Sequence, residues 1–171
     1  MNRTDSNTDV QVYRVYIRAT PQVIWDAIIK PEWNQRYGFG GRGEYDLRPG
    51  GAYRGFLPDE MPAGAPPDLR ASEVGVHGEV IESDPPHRLV LTWWMPMDAT
   101  LRAEPFTRLT YEIEEGKDGV SKLTVIHDFT GAPQHGAILS GQLEAEGAGG
   151  GWNWVLSDLK TLLETGRSFQ D

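Results

Sequence analysis

The sequence predicts an α+β fold, in which a curved antiparallel sheet of about six to seven strands wraps around one long C-terminal helix. Two observations predict it. Short segments of alternating polar and apolar residues, separated by turns, occupy much of the chain between residues 10 and 129, which is typical of successive antiparallel strands. Residues 152–165 then place their apolar side chains on one helical stripe. Because an antiparallel sheet must cover its apolar face, this helix is expected to pack across it.

The N-terminal part predicts a tail, a strand and two short helices. Residues 1–9 are polar and are expected to be disordered, and residues 10–168 are expected to form one domain. The strand at 10–19 alternates, with Tyr13, Val15 and Ile17 on its apolar face. Thr20-Pro21 is a typical helix start, and Pro31 ends that helix and begins a second, which runs to about Tyr37.

The middle of the chain predicts six further strands, at 44–47, 52–57, 74–82, 88–95, 106–114 and 120–129. Arg48-Pro49-Gly50-Gly51 is expected to form a type II turn between the first two of these strands. Residues 58–71, with four prolines, and residues 96–104 are expected to be loops. Residues 137–146 are weakly helical, and Gly166 is the expected C-cap of the last helix. A sheet that curves around a single helix in this way is the helix-grip architecture.

Composition excludes several classes of function. A formal net charge of −9 disfavours phosphate backbones and anionic lipid surfaces, so neither a nucleic acid nor a membrane is an expected partner. The chain has no cysteine, which excludes thiolate chemistry and is compatible with the cytoplasm, where we expect the protein. Residues 38–43 contain G-x-G-x-x-G, but a strand rather than a helix is expected to follow, so a flexible loop is the better interpretation. No cofactor and no metal is expected.

Two histidines are candidates for chemistry. His127 shares a strand face with Leu123 and Val125, so it is expected to point into the interior. There it could bind a polar group of a ligand or act as an acid or base, or it could be a core histidine bonded to a buried neighbour. His77 and Glu79 also share a face and could form a dyad or half of a metal site, although a solvated pair is the simpler interpretation. His87 and His135 are in loop-like contexts and are assigned no role.

Large aromatic side chains are numerous for one small domain. Trp93 and Trp94 are adjacent in a strand and must face opposite sides, and Trp152 and Trp154 diverge by roughly 200° around a helix. The aromatic residues could line a pocket for a flat or hydrophobic molecule, or they could simply fill the core. Phe39 and Phe56 adjoin loops and are expected gate residues. The candidate pocket residues are Trp25, Tyr37, Phe39, Tyr53, Phe56, Trp93, Tyr111, His127, Phe129 and Trp152.

Five segments, in order, carry a resemblance to a known family. They are 17–32 (IRATPQVIWDAIIKPE), 47–54 (LRPGGAYR), 78–93 (GEVIESDPPHRLVLTW), 123–129 (LTVIHDF) and 151–164 (GWNWVLSDLKTLLE). Over residues 10–166 the chain resembles the activator of Hsp90 ATPase homologue 1-like family of the START/Bet v 1-like superfamily. The resemblance implies the helix-grip fold with two short helices after the first strand. It implies function only loosely, since relatives include ligand carriers, aromatase/cyclases, Hsp90 co-chaperone domains and self-sacrificing resistance proteins.

Three functions therefore remain open. The first is non-catalytic binding of a small hydrophobic or aromatic molecule in a cavity between sheet and C-terminal helix. The second is interaction with a protein partner, by analogy with the Hsp90-activating domain. The third is an enzyme of the cyclase, aromatase or hydrolase kind that uses His127. We lean toward a protein that is not an enzyme, and the sequence is compatible with a monomer or a homodimer.

Overall fold

A computed structural model describes residues 9–61, 65, 69–71 and 73–171. Within them lie β1 (Val10–Ile17), β2 (Gly43–Tyr45), β3 (Ala52–Phe56), β4 (Val74–Asp84), β5 (Arg88–Trp93), β6 (Thr107–Glu115) and β7 (Ser121–Asp128). These strands form one sheet in the order β1-β7-β6-β5-β4-β3-β2, and every neighbouring pair is antiparallel. Residues 1–8 of the predicted tail, and 62–64 and 66–68 of the predicted proline-rich loop, lie outside the described residues.

The helices flank this sheet. They are α1 (Pro21–Ile29), α2 (Pro31–Asn34), α3 (Ala99–Ala103), α4 (Pro133–Leu139) and α5 (Gly151–Thr165), with a 3-10 turn at Glu144–Glu146. An open antiparallel sheet, two short helices after the first strand and a long C-terminal helix confirm the predicted fold class.

Two expectations about the segments around the C-terminal strands were wrong. Residues 96–104 contain α3, whose N-terminus is capped by Asp98 accepting a hydrogen bond from the Leu101 amide at 2.8 Å. At five residues, α3 is too short to show a helical period, so only its cap was visible in the sequence. The weak helical pattern at 137–146 was also misplaced, because α4 begins earlier, at Pro133, and ends at Leu139.

The predicted signals at the longer helices are confirmed. Thr20 accepts a hydrogen bond from the Val23 amide, with Pro21 in the first helical position of α1. In α5, Trp152, Leu156, Leu159 and Leu162 are buried on one stripe. The helix ends at Gly166, which has φ 79° and donates its amide hydrogen to Leu162.

The core lies between the concave face of the sheet and helices α1 and α5. Along β1, Tyr13, Val15 and Ile17 turn toward it while Val12 and Tyr16 are exposed, as the alternation predicts. The sheet changes register at Gly55/Phe56 and at Val80/Glu82, and irregularities of this kind bend strands.

Several possible site features resolve into ordinary structure. The G-x-G-x-x-G run leads into strand β2 rather than into a helix, which removes the context that a dinucleotide site requires. His77 lies on β4 against the Trp94 ring, with the two ring centres 6.0 Å apart. The described residues include no cluster of three or more His, Asp or Glu side chains arranged to hold a metal ion. In the same part of the chain, no helix combines the length and apolar character needed to cross a membrane.

Candidate functional site

Two regions meet at the N-terminal end of α5. One is a closed cluster around His127, made of Trp93, Thr107, Phe129 and Trp152, which we call the histidine cluster. The other is an open groove on the far side of α5, into which Trp154 projects, which we call the α5 groove. Trp152 is 5% exposed and Trp154 39% exposed, so the predicted divergence of the two tryptophans is confirmed and separates the two regions.

A continuous hydrogen-bond chain fixes His127 in the histidine cluster. Trp152 donates its indole N–H to His127 Nδ1 at 3.1 Å, so Nδ1 acts as the acceptor. The other ring nitrogen, Nε2, lies 2.7 Å from Thr107 Oγ1, and Thr107 donates its hydroxyl hydrogen to the Trp93 carbonyl at 2.7 Å. This pattern requires a neutral imidazole that carries its proton on Nε2. Both ring nitrogens are therefore engaged inside the protein.

Aromatic rings enclose the same imidazole. Phe129 stacks on it with ring centres 3.9 Å apart, and Trp93 meets it edge-on at 5.3 Å. Burial, together with the nearby His135, lowers the pKa of His127 to about 3. The imidazole is therefore neutral at physiological pH.

Tyrosines extend this interior toward β2 and β3. Tyr45 and Tyr53 stack with ring centres 4.6 Å apart, and Tyr111 meets Trp152 edge-on at 6.0 Å. Burial raises the pKa of Tyr53 to about 12, although hydrogen bonds from Tyr45 and Trp93 pull that pKa down. Burial also holds the pKa of Tyr37, Tyr45 and Tyr111 above its usual value. These phenols therefore stay protonated at neutral pH.

His135 forms a second buried pair that sequence analysis missed. It lies on α4 rather than in a loop, and its Nδ1 is 2.7 Å from Glu104 Oε1 while its Nε2 accepts the Met95 amide hydrogen at 3.0 Å. Partial burial pushes the Glu104 pKa upward, but hydrogen bonds from the Gln134 and His135 amides and from the His135 ring outweigh it, so that pKa is lowered. Glu104 thus joins the end of α3 to the start of α4.

The α5 groove has a volume of about 620 Å³ and is open to solvent. Its walls come from the loop after α2, the segment after β3, the residues around the 3-10 turn, the first turn of α5 and the C-terminal tail. They are Gly38, Phe39, Gly40, Pro58, Asp59, Glu60, Glu144, Gly149, Gly150, Trp154 and Gln170. The Phe39 ring is 55% exposed. Two large aromatic rings therefore face solvent within one concavity.

One buried carboxylate holds the walls of the groove together. Asp158 is fully buried on α5, and it accepts hydrogen bonds from the Gly38 amide at 3.0 Å and the Phe169 amide at 2.7 Å. The Gly38 carbonyl in turn accepts from Trp154 Nε1 at 3.2 Å and Gln170 Nε2 at 2.8 Å. The loop, the helix and the tail are thus bonded through two residues. The sequence signal for this role is the position of Asp158, a charged residue one turn before Leu162 on the apolar stripe of α5.

A second groove of about 400 Å³ continues the first along α5. The two share Glu144, Gly150 and Trp154, and the second adds Phe169, whose ring centre is 5.0 Å from that of Trp154. Phe39, Trp154 and Phe169 therefore form a row of exposed rings along adjoining concave surfaces.

The ten candidate pocket residues lie in or beside the histidine cluster, in the α5 groove, or outside both. Trp93, Tyr111, His127, Phe129 and Trp152 come together through ring contacts and hydrogen bonds, with Tyr37 and Tyr53 beside them. Trp25 is buried in the core on α1. Of the two expected gate residues, Phe39 lines the α5 groove, whereas Phe56 lies under the Arg42 guanidinium, 3.9 Å from it. Asp158, Glu144 and Trp154 were not among the candidates.

The sequence profile of the family described as activator of Hsp90 ATPase homolog 1-like protein matches residues 18–164. The chain belongs to this family. This match confirms the resemblance that was inferred from the sequence. A search of curated proteins found no match.

Solved structures similar to this family member share its fold. A protein from Rhodobacter sphaeroides is 20% identical with a TM-score of 0.66, over 92% of this chain and 93% of that one. CalU16 from Micromonospora echinospora is 19% identical with a TM-score of 0.59, over 94% and 78%. An HSP90 activator from Plasmodium falciparum is 19% identical with a TM-score of 0.53, over 70% and 72%.

Proposed function

We propose that this chain binds a small hydrophobic or aromatic molecule, without transforming it, in the α5 groove. The observation that carries the proposal is an open cavity of about 620 Å³ in which Phe39 and Trp154 expose their rings. Cavities of roughly 300–1,000 Å³ are the usual size of small-molecule sites, which combine apolar walls with a few polar groups. The α5 groove lies between the first turn of α5 and the neighbouring loops, outside the histidine cluster.

The fixed geometry of the groove supports this function. Gly38 donates its amide hydrogen to Asp158 and accepts at its carbonyl from Trp154 and Gln170, so both peptide groups of the residue before Phe39 are bonded. A site whose walls are bonded before the ligand arrives loses less conformational freedom on binding.

The state of His127 supports binding rather than catalysis. A general acid or base needs a free ring nitrogen within reach of the substrate and a pKa near the working pH. Both nitrogens of His127 are hydrogen-bonded within the protein, the side chain is fully buried, and its pKa is about 3. These properties favour the core-histidine interpretation of His127.

The test is titration with N-phenyl-1-naphthylamine, a neutral aromatic probe that fluoresces when it leaves water. We expect saturable binding, and we expect Phe39→Ala and Trp154→Ala each to weaken it by roughly 5-fold or more, since aromatic anchors dominate small binding sites. Phe106→Ala is the matched control, because this ring is 50% exposed but packs on Trp94 at 5.1 Å, away from the groove. Unchanged binding by the two groove variants would contradict the proposed location.

A protein-interaction function is the second candidate, favoured by the match to the activator of Hsp90 ATPase homolog 1-like family and by the row of exposed rings. In this case Phe39, Trp154 and Phe169 would contact an Hsp90-type chaperone. The measurement is the ATPase rate of purified Hsp90 with and without the chain. Stimulation that Trp154→Ala removes would support this function, and an unchanged rate at saturating concentration would exclude it.

A further inference from the structure

We infer that the ligand of the α5 groove is a cation, such as an organic ammonium ion with an apolar body. This inference rests on the proposed function, because it assigns the chemical class of the molecule that the same groove would bind. It comes from the way in which aromatic rings and carboxylates are placed together along the groove.

The charges that line the groove all have one sign. Asp59, Glu60 and Glu144 contribute carboxylates to the larger groove. Among the described residues that line either groove, none is Lys, Arg or His. A concave surface with charges of one sign raises the local concentration of ions of the opposite sign.

Two basic side chains that flank the Gly38–Gly40 loop point away from the groove. Arg42, just after the Gly38–Gly40 loop, lies over the Phe56 ring and pairs with Glu44 at 3.3 Å. Arg36, just before that loop, donates to the Gly166 carbonyl. Glu144 itself makes no hydrogen bond or ion pair through its carboxylate with any other described residue. Its negative charge is therefore available to a ligand.

Two consecutive glycines bring an aromatic ring and this carboxylate together. A Cβ at Gly149 would stand 2.8 Å from Phe39 Cε1, and a Cβ at Gly150 would stand 3.4 Å from Glu144 Oε1 and 2.9 Å from Trp154 Cβ. Phe39, Trp154 and Glu144 therefore all pack against one dipeptide. Aromatic faces beside a carboxylate are the surroundings in which ammonium groups bind, through cation–π attraction and through direct charge pairing.

The experiment compares two probes of the same shape, 4-hydroxyphenyltrimethylammonium and 4-tert-butylphenol, in competition with N-phenyl-1-naphthylamine. They differ in having a positive nitrogen or a neutral carbon at one position. In weakly acidic, low-salt buffer we expect the cation to bind roughly 5- to 10-fold more tightly than the neutral probe, the scale of one exposed cation–π contact plus a charge pair. Added salt should weaken binding of the cationic probe and leave binding of the neutral probe unchanged.

Glu144→Gln should weaken binding of the cationic probe by roughly 3-fold or more and leave binding of the neutral probe unchanged. The reason is that this substitution removes the negative charge and keeps the shape of the side chain. The matched control is Glu146→Gln, on the same 3-10 turn but outside both grooves. If the neutral probe binds as tightly as the cation and Glu144→Gln affects neither, the cation inference is overturned, while binding of N-phenyl-1-naphthylamine keeps the groove as a site. If no probe binds, both the inference and the proposed function fail.

Discussion

The histidine cluster and the α5 groove lie on opposite sides of the first turns of α5. The aromatic rings of the cluster are buried, whereas those of the groove are exposed. In the cluster every polar atom has a partner, and the Trp152 indole is bonded to a fully buried histidine. In the groove the Trp154 indole is bonded to a loop carbonyl, while its ring faces solvent on the same concave surface as the carboxylate of Glu144. The number of aromatic rings in a region therefore does not by itself identify a binding site. Exposure within a concave surface distinguishes the groove.

The largest expected effect separates the two tryptophans. Trp152→Ala should lower the free energy of unfolding by about 3–5 kcal/mol, because it removes a buried ring and leaves His127 Nδ1 without its donor. Trp154→Ala should cost only about 1 kcal/mol, since its ring is already partly in water. Urea unfolding of the two variants measures both values. Equal losses would mean that the cluster and the groove are not energetically distinct.

Asp158→Asn should produce the next largest effect, and it links the two regions through α5. The carboxylate accepts two amide hydrogens, whereas an amide side chain offers one oxygen and turns an N–H toward the other donor. We expect a loss of about 2 kcal/mol in the free energy of unfolding together with weaker binding of N-phenyl-1-naphthylamine. Thr161→Ala, a partly exposed position on α5 that lines neither groove, is the control for changes in the helix itself. Wild-type probe affinity in Asp158→Asn would show that the groove does not depend on this residue.

His127 should make stability depend on pH. Its pKa is about 3 in the folded chain and about 6.5 when unfolded, so between these values the unfolded state binds the extra proton. The contribution of His127 to the free energy of unfolding should therefore be fully present above about pH 6.5, and it should be lost by about 1.4 kcal/mol per pH unit as the pH is lowered toward 3. Urea unfolding at several pH values checks this in the wild type and in His127→Gln, whose side chain does not titrate. The same slope in both proteins would contradict a neutral, buried His127.

The parts of these regions that were predictable follow from local periodicity. The two-residue period of β7 predicted that His127 faces inward with Leu123 and Val125. The helical rotation of about 100° per residue predicted that Trp152 and Trp154 face different sides of α5. Position 135 shows the limit, because its burial depends on Glu104, which lies 31 residues earlier. The groove is less local still, since Asp158 bonds Gly38 across 120 residues. No period within a single element encodes such a contact. Ligand binding by the ten candidate residues stays a prediction.

The smallest expected effect on stability comes from Gly149→Ala, compared with Gly147→Ala. Both glycines have positive φ, 82° and 88°, so each alanine should cost about 1 kcal/mol of backbone strain in the free energy of unfolding. They differ in surroundings, because a Cβ at 149 would meet the Phe39 ring at 2.8 Å whereas one at 147 has nothing within 4 Å. The exposed Phe39 ring can shift, so the two variants should unfold alike. Only Gly149→Ala should weaken binding of N-phenyl-1-naphthylamine, because the shifted ring changes the groove wall. Equal probe affinities in the two variants would mean that the position of Phe39 does not define the site, and would move attention to Trp154 and Phe169.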